Sequence, residues 1–223
     1  MVLSRLFTGF CGSIEVAMDE IDPPSLILPG PDAPVVLWHA GHTQTQVSPP
    51  QAVLPGSFNP LHSGHRQLRQ TAAKFLGCEV TYELSIRNVD KPRLSTAETQ
   101  RRLAQINAPI LLTEAPLFTQ KADLFPGTCF VIGFDTAERL LDDKYYRHSS
   151  GDCTAALGHL MERECRFLVA GRLISQNEES FFARFPMLRL RPEFGSMFEE
   201  LPEDMFRADI SSTDLRNGQV PTE

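Results

Sequence analysis

Gln51-Ala52-Val53-Leu54-Pro55-Gly56-Ser57-Phe58-Asn59-Pro60-Leu61-His62-Ser63-Gly64-His65 decides the fold. Gln51–Leu54 is a short apolar strand candidate. Gly56 permits a tight turn and a close backbone approach, and Asn59-Pro60 makes a rigid turn. From His65 the period changes: Leu68, Ala72, Phe75 and Leu76 fall on one helical face, and Gly77 stops the helix. A strand, a glycine-bearing turn and an amphipathic helix in that order open a βαβ unit.

Working outward, the alternation continues. Cys78–Ile86 alternates like a strand, through Val80, Tyr82, Leu84 and Ile86. Ser95 and Glu98 have capping-box spacing and open a helix expected to run to about Asn107, ahead of Pro109. Ile110–Thr113 and Thr128–Gly133 read as strands, with a helix near Thr136–Asp142 after the second. Arg166–Gly171 reads as a buried strand, and Ser211–Asn217 as a short helix ended by Gly218. Strands alternating with helices predict an α/β fold, a doubly wound, Rossmann-like parallel sheet. Such sheets take ligands at the carboxyl ends of their strands.

Composition sets the outer bounds. The chain has 223 residues and a formal net charge of −7, with 42% hydrophobic and 22% charged residues. That is ordinary globular usage, enough for one domain with an appendage. Nine of its 17 prolines fall in the first 60 residues. Residues 1–50 are therefore expected to form a Pro-rich extension, with one short strand at Val35–Trp38, ahead of a domain spanning 51–223. The acidic balance argues against a nucleic-acid partner or an anionic membrane surface. No apolar run is long enough to cross a membrane. The N-terminus, with a single Arg5 and an early Glu15, does not fit a secretory signal, so a cytoplasmic location is expected. Cys11, Cys78, Cys129, Cys153 and Cys165 are odd in number and contain no C-x-x-C pair. Cys129 and Cys165 read as small buried hydrophobes.

The chemistry concentrates in the turn. His62 and His65 flank Gly64 at a helix start, where open N–H groups and the positive dipole end suit phosphate. Two imidazoles there can donate hydrogen bonds to phosphoryl oxygens without supplying a nucleophile. His39-Ala40-Gly41-His42 spells the same H-x-G-H pattern. That copy directly abuts the strand Val35–Trp38, lacks the preceding turn, and has no amphipathic helix after it, so it reads as a solvated loop. Residues 61–102 carry eight Lys and Arg against four acids, a local excess of positive charge suited to a polyphosphate or simply to a solvated face.

Residues 56–65 resemble the signature of the nucleotidylyltransferases with the H-x-G-H motif. That superfamily includes nicotinate/nicotinamide mononucleotide adenylyltransferases and small cytidylyltransferases. Ile210-Ser211-Ser212-Thr213-Asp214-Leu215-Arg216 is similar to the family's I-S-S-T-x-[IL]-R, and Phe130–Asp135 is similar to its strand-ending G-x-D. The three matches stand in family order across residues 51–218.

The resemblance implies transfer of a nucleoside monophosphate from ATP, alternatively CTP, to a small phosphorylated acceptor, with pyrophosphate released and Mg²⁺ bridging phosphate oxygens. A non-catalytic nucleotide-binding module is the remaining alternative. His62, His65, Lys91 and Arg216 would stabilise charge on the phosphates. Gly56, Ser57, Phe58, Asn59, Gly133, Asp135, Ile210, Ser211, Ser212 and Thr213 would line the nucleotide. Arg172 would lie by the acceptor or be a surface charge. Asp135 can meet a ribose hydroxyl or cap the helix at Thr136. The mononucleotide adenylyltransferases carry a tryptophan after this aspartate. Here the one tryptophan is Trp38, with Tyr145 or Tyr146 as substitutes.

Overall fold

The computed structural model describes residues 26–89, 92–146, 152–176, 179–185 and 188–207. The elements run β1 Val35–His39, β2 His42–Gln44, β3 Ala52–Pro55, α1 Ser63–Leu76, β4 Val80–Ser85, α2 Thr96–Leu103, β5 Ile110–Thr113 and α3 Phe118–Leu124. They continue through β6 Cys129–Gly133, α4 Phe134–Leu140, α5 Cys153–Glu162, β7 Arg166–Ala170, β8 Arg172–Gln176, β9 Glu179–Ala183 and β10 Phe198–Leu201.

Eight strands form one sheet in the order β10-β7-β6-β3-β4-β5-β1-β2, and β8 and β9 form a separate antiparallel pair. The six strands from β10 to β5 are parallel. From β3 the chain steps outward through β4 to β5, then returns to the other side of β3 and steps through β6 and β7. This is the doubly wound, Rossmann-like order, and the direction of winding reverses between β3 and β6.

Period-2 alternation sends neighbouring strand residues to opposite faces. Ala52 and Leu54 join α1 (Leu68, Ala72) and the end of α2 (Leu103) in one core. Val53 joins α3 (Ala122), α4 (Ala137, Leu140) and α5 (Leu157, Leu160) in the other. Both faces are covered, which is why β3, β5 and β6 read as continuous apolar runs rather than alternating ones.

Several boundaries differ from the sequence reading. α2 stops at Leu103, four residues before Asn107, and Ser95 accepts a hydrogen bond from Glu98 N at 3.1 Å. The Glu98 side chain turns instead to Arg101 and Arg102. The strand expected at Val35–Trp38 is β1, and it pairs antiparallel with β5 as part of the main sheet. The His39–His42 pattern is the two-residue turn of the β1–β2 hairpin, with Ala40 at φ 49° and Gly41 at φ 87°. Both central residues lie in the left-handed region that tight hairpins require. Helices α3 and α5, strand β10 and the β8–β9 pair were not anticipated. Cys129 and Cys165 are buried as expected, and burial pushes the Cys129 thiol up to about 11. The helix expected at Ser211–Asn217 lies outside the described residues. Among the described residues, no helix is long and apolar enough to cross a membrane.

A buried ion pair underlies the carboxyl edge. Lys121 of α3 reaches both carboxylate oxygens of Glu83 on β4 at 2.7 Å, and the Thr113 hydroxyl donates to the same carboxylate at 2.5 Å. Glu83 is fully buried and Lys121 is 4% exposed. Removing one member leaves a buried charge without its partner, which costs about 3–5 kcal/mol. Lys121→Met is therefore expected to lower unfolding free energy by that amount in urea titrations. The Glu83→Gln/Lys121→Met double variant should recover most of it, because Gln still accepts from Thr113.

Candidate functional site: two apposed histidines at a sheet switch point

The turn between β3 and α1 is shaped by one aromatic ring. Phe58 takes a left-handed backbone (φ 45°), which costs an L residue about 1–2 kcal/mol. Its ring is fully buried, a contribution of about 1.5–3 kcal/mol that offsets the cost. The ring folds back over Gly56 so closely that a Cβ there would lie 2.6 Å from it. Glycine at 56 is thus demanded by Phe58. The Asn59–Pro60 peptide is cis. The same ring meets Tyr82 edge-on at 5.1 Å and His65 edge-on at 5.3 Å.

His62 caps α1 in an extended conformation, and Gly64 is buried in the first turn. The rings of His62 and His65 lie 3.8 Å apart, tilted by 36°. The His62 N–H donates to Nδ1 of His65 at 3.4 Å. An accepting Nδ1 places the proton of a neutral ring on Nε2, so His65 is a donor through Nε2. Burial, then the neighbouring His62 and Arg66, depress the His65 pKa from 6.5 to about 3. The ring is neutral across the physiological range.

Helix α2 and Gln105, two residues past its end, grip the turn. Arg102 donates to Ser57 O at 2.8 Å, Arg101 to the Asn59 side-chain oxygen at 2.7 Å, and Gln105 to Phe58 O at 3.5 Å. Gln105 also accepts from Leu61 N at 3.0 Å. Glu98 binds both guanidinium groups, and these hydrogen bonds hold its carboxyl down to about 2. From sequence, Glu98 reads as a capping-box residue and Arg101 and Arg102 as positive charge, none of them as a partner of the turn, and Gln105 is not singled out. The available signal was Glu98 standing three and four residues before two arginines.

Ala52–Val53 of β3 is registered against only Cys129–Phe130 of β6, whereas β6 and β7 share five registered pairs. The two central strands therefore part before their carboxyl ends, at the switch point where such sheets open a ligand crevice. The histidine turn follows β3 on one side. Gly133 and Asp135 follow β6 on the other, and a Cβ added at Gly133 would meet nothing within 4 Å. Asp135 lies in the first turn of α4 and forms a tight ion pair with Arg172, at the start of β8. Two residues singled out separately from sequence thus act as one unit. Gly171, just before Arg172, packs under the β8–β9 pair, where a Cβ would lie 2.4 Å from the Phe182 ring.

Other expectations fare differently. Lys91, Ile210, Ser211, Ser212, Thr213 and Arg216 lie outside the described residues. The basic excess over 61–102 is partly compensated: Arg69 meets Glu79, Arg87 and Arg93 meet Glu114, and Arg101 and Arg102 meet Glu98. Tyr146 is not placed to stand in for the tryptophan of the adenylyltransferases that the sequence resembles. It is 4% exposed, and its hydroxyl donates to Leu140 O at 2.7 Å inside the core. Trp38 pairs with Ile110 at the amino end of β5, away from the carboxyl edge. No protein-family model matches this chain, and no curated protein matches it.

Two outcomes follow from this geometry. Gly56→Ala drives a methyl group into the Phe58 ring, so it should lower stability by about 1–3 kcal/mol in denaturant titrations. For His65, the unfolded chain binds a proton below pH 6.5 while the folded one refuses it until about 3. Stability should therefore be intact above 6.5 and fall as pH drops from 6.5 toward 3. His65→Phe, measured by urea unfolding across that window, should flatten the slope.

Proposed function

We propose that the protein is a nucleotidylyltransferase of the H-x-G-H kind, moving AMP from ATP to a phosphate-bearing acceptor such as nicotinate or nicotinamide mononucleotide. The observation that carries this reading is the pair of closely apposed imidazoles at the mouth of α1, beside the switch point of the sheet. An acceptor phosphate oxygen is already anionic and attacks the α-phosphorus in line. The bond to the bridging oxygen breaks, and its electron pair leaves on pyrophosphate. No base and no covalent enzyme intermediate are needed, so the protein's task is positioning and charge stabilisation.

In that scheme His65 donates through Nε2 to a phosphoryl oxygen, and His62 at the helix mouth serves the same charge. The N–H groups at the start of α1 add the helix's positive end. The carbonyl oxygens of Ser57 and Phe58 and the side-chain oxygen of Asn59 accept from Arg102, Gln105 and Arg101, so main-chain contact of this stretch with the nucleotide is assigned to N–H groups. Open space at Gly133 suits a close ligand approach, and the Asp135–Arg172 pair offers a carboxylate to a ribose and a guanidinium to an acceptor phosphate. Lys91, Ser211, Ser212, Thr213 and Arg216 complete the scheme on the strength of the resemblance alone. Magnesium keeps its waters tightly and binds chiefly through nucleotide phosphates, lowering their charge when it is there. That mode suits this edge, where the Asp135 carboxylate is already engaged.

The burial of Tyr146 removes one of the two rings offered for stacking on a pyridine, which favours a second reading with another phosphomonoester acceptor; CTP is the alternative donor that the resemblance carries. Purified protein is given ATP or CTP, Mg²⁺ and a panel of phosphomonoesters, and pyrophosphate release is measured. The expected result is turnover with ATP and a mononucleotide, reduced about 10²–10³-fold in His65→Ala with the fold retained. Release only from CTP pairs replaces the adenylyl reading with the cytidylyl one. Nucleotide binding without release from any pair identifies a non-catalytic module.

A further inference from the structure

We propose that α2, through Glu98 and Arg102, and the turn that follows it, through Gln105, are the device that sets the histidine turn, with Arg102 as its central positioning residue. The kinetic side of this inference rests on the proposed function, but its structural side does not. Four of the five residues from Ser57 to Leu61 are bonded to this segment: Ser57 and Asn59 to α2, Phe58 and Leu61 to Gln105 two residues past its end. The last of them, Leu61, immediately precedes His62, and the Phe58 ring abuts His65. A displacement of the turn is thus transmitted to both imidazoles within one residue or one ring contact.

Arg102 is placed for this work in a way that Arg101 is not. Its side chain is 11% exposed, against 52% for Arg101. Its Nε donates to Glu98 at 2.8 Å while its Nη1 donates to Ser57 O at 2.8 Å. The guanidinium is a rigid planar fork, so fixing one edge on Glu98 aims the other at the turn. A lysine ammonium offers one point of charge on a flexible stem and cannot hold both directions. Gln105 supplies the neutral half of the grip, with its carbonyl to Leu61 N and its amide to Phe58 O.

The test follows the His65 ring by NMR titration in the full chain, together with pyrophosphate release. In Arg102→Ala the turn loosens, water reaches His65, and its titration midpoint is expected to rise by more than about one unit from its depressed position toward the ordinary 6.5. The kcat should fall by up to about 10²-fold, with the KM for nucleotide within about twofold, as for a misplaced rather than a missing group. Arg102→Lys should behave like Arg102→Ala, which a purely electrostatic role for residue 102 does not predict. Circular dichroism and urea unfolding establish that each variant is folded. If Arg102→Ala does not fold, Gln105→Met carries the same two readouts. A His65 titration unchanged from wild type in a folded variant overturns the proposal, as does an unchanged kcat. Should the wild-type protein release no pyrophosphate, the proposed function fails separately, and the His65 titration alone decides this inference.

Discussion

Two imidazole rings 3.8 Å apart cannot both carry a proton at little cost. Like charges at that distance repel by roughly 4 kcal/mol at the effective dielectric of a protein surface. A helix N-terminus adds a further penalty for positive charge. The site answers this constraint by keeping His65 half-buried and neutral, with its Nδ1 engaged by the His62 main chain. What results is a directional donor rather than a cation. An anion arriving there would meet N–H groups already aimed, with no reorganisation needed.

The surroundings serve that pair at successive distances. Phe58 accepts an unfavourable backbone to put its ring under His65, and Gly56 yields the space for it. Helix α2 and Gln105 just past it then hold oxygens of the turn. Below, Gly56 N donates to Glu83 O at 2.9 Å, so the floor of the turn is also the strand that carries the buried Glu83–Lys121 pair. Charges at this edge come in matched sets: Glu83 with Lys121, Glu98 with Arg101 and Arg102, Asp135 with Arg172. Cations held in fixed hydrogen bonds keep their direction, which long side chains in open water do not.

The strand–turn–helix order around residues 51–76 was legible because apolar period, turn chemistry and capping agreed along one stretch of chain. The same four letters at His39–His42 show what the pattern alone is worth. There Ala40 and Gly41 adopt the left-handed turn of a hairpin, and the two histidines face each other across antiparallel strands instead of sharing a helix start. The Asp135–Arg172 pair joins residues 37 positions apart and depends on β6 and β7 lying side by side, which no local signal encodes. The α2 grip was hidden for the same reason, since Arg102 and Ser57 are 45 positions apart. Helix α5 did carry a signal: Asp152 accepts from Ala155 N at 2.8 Å, and Ala156, Leu157 and Leu160 share its buried face. Tyr146 looked available only because its period against the core, through a single turn after α4, is too short to read.

The registered contact between β3 and β6 is limited to two residue pairs. One half of the sheet, on β3, β4 and β5, bears the histidines; the other, on β6, β7 and β10, bears Asp135 and Arg172. At the opening, the halves are joined by less backbone than anywhere else among the parallel strands. A molecule seated there and touching both shores would act as a rivet, completing with its own atoms a ladder the protein leaves unfinished.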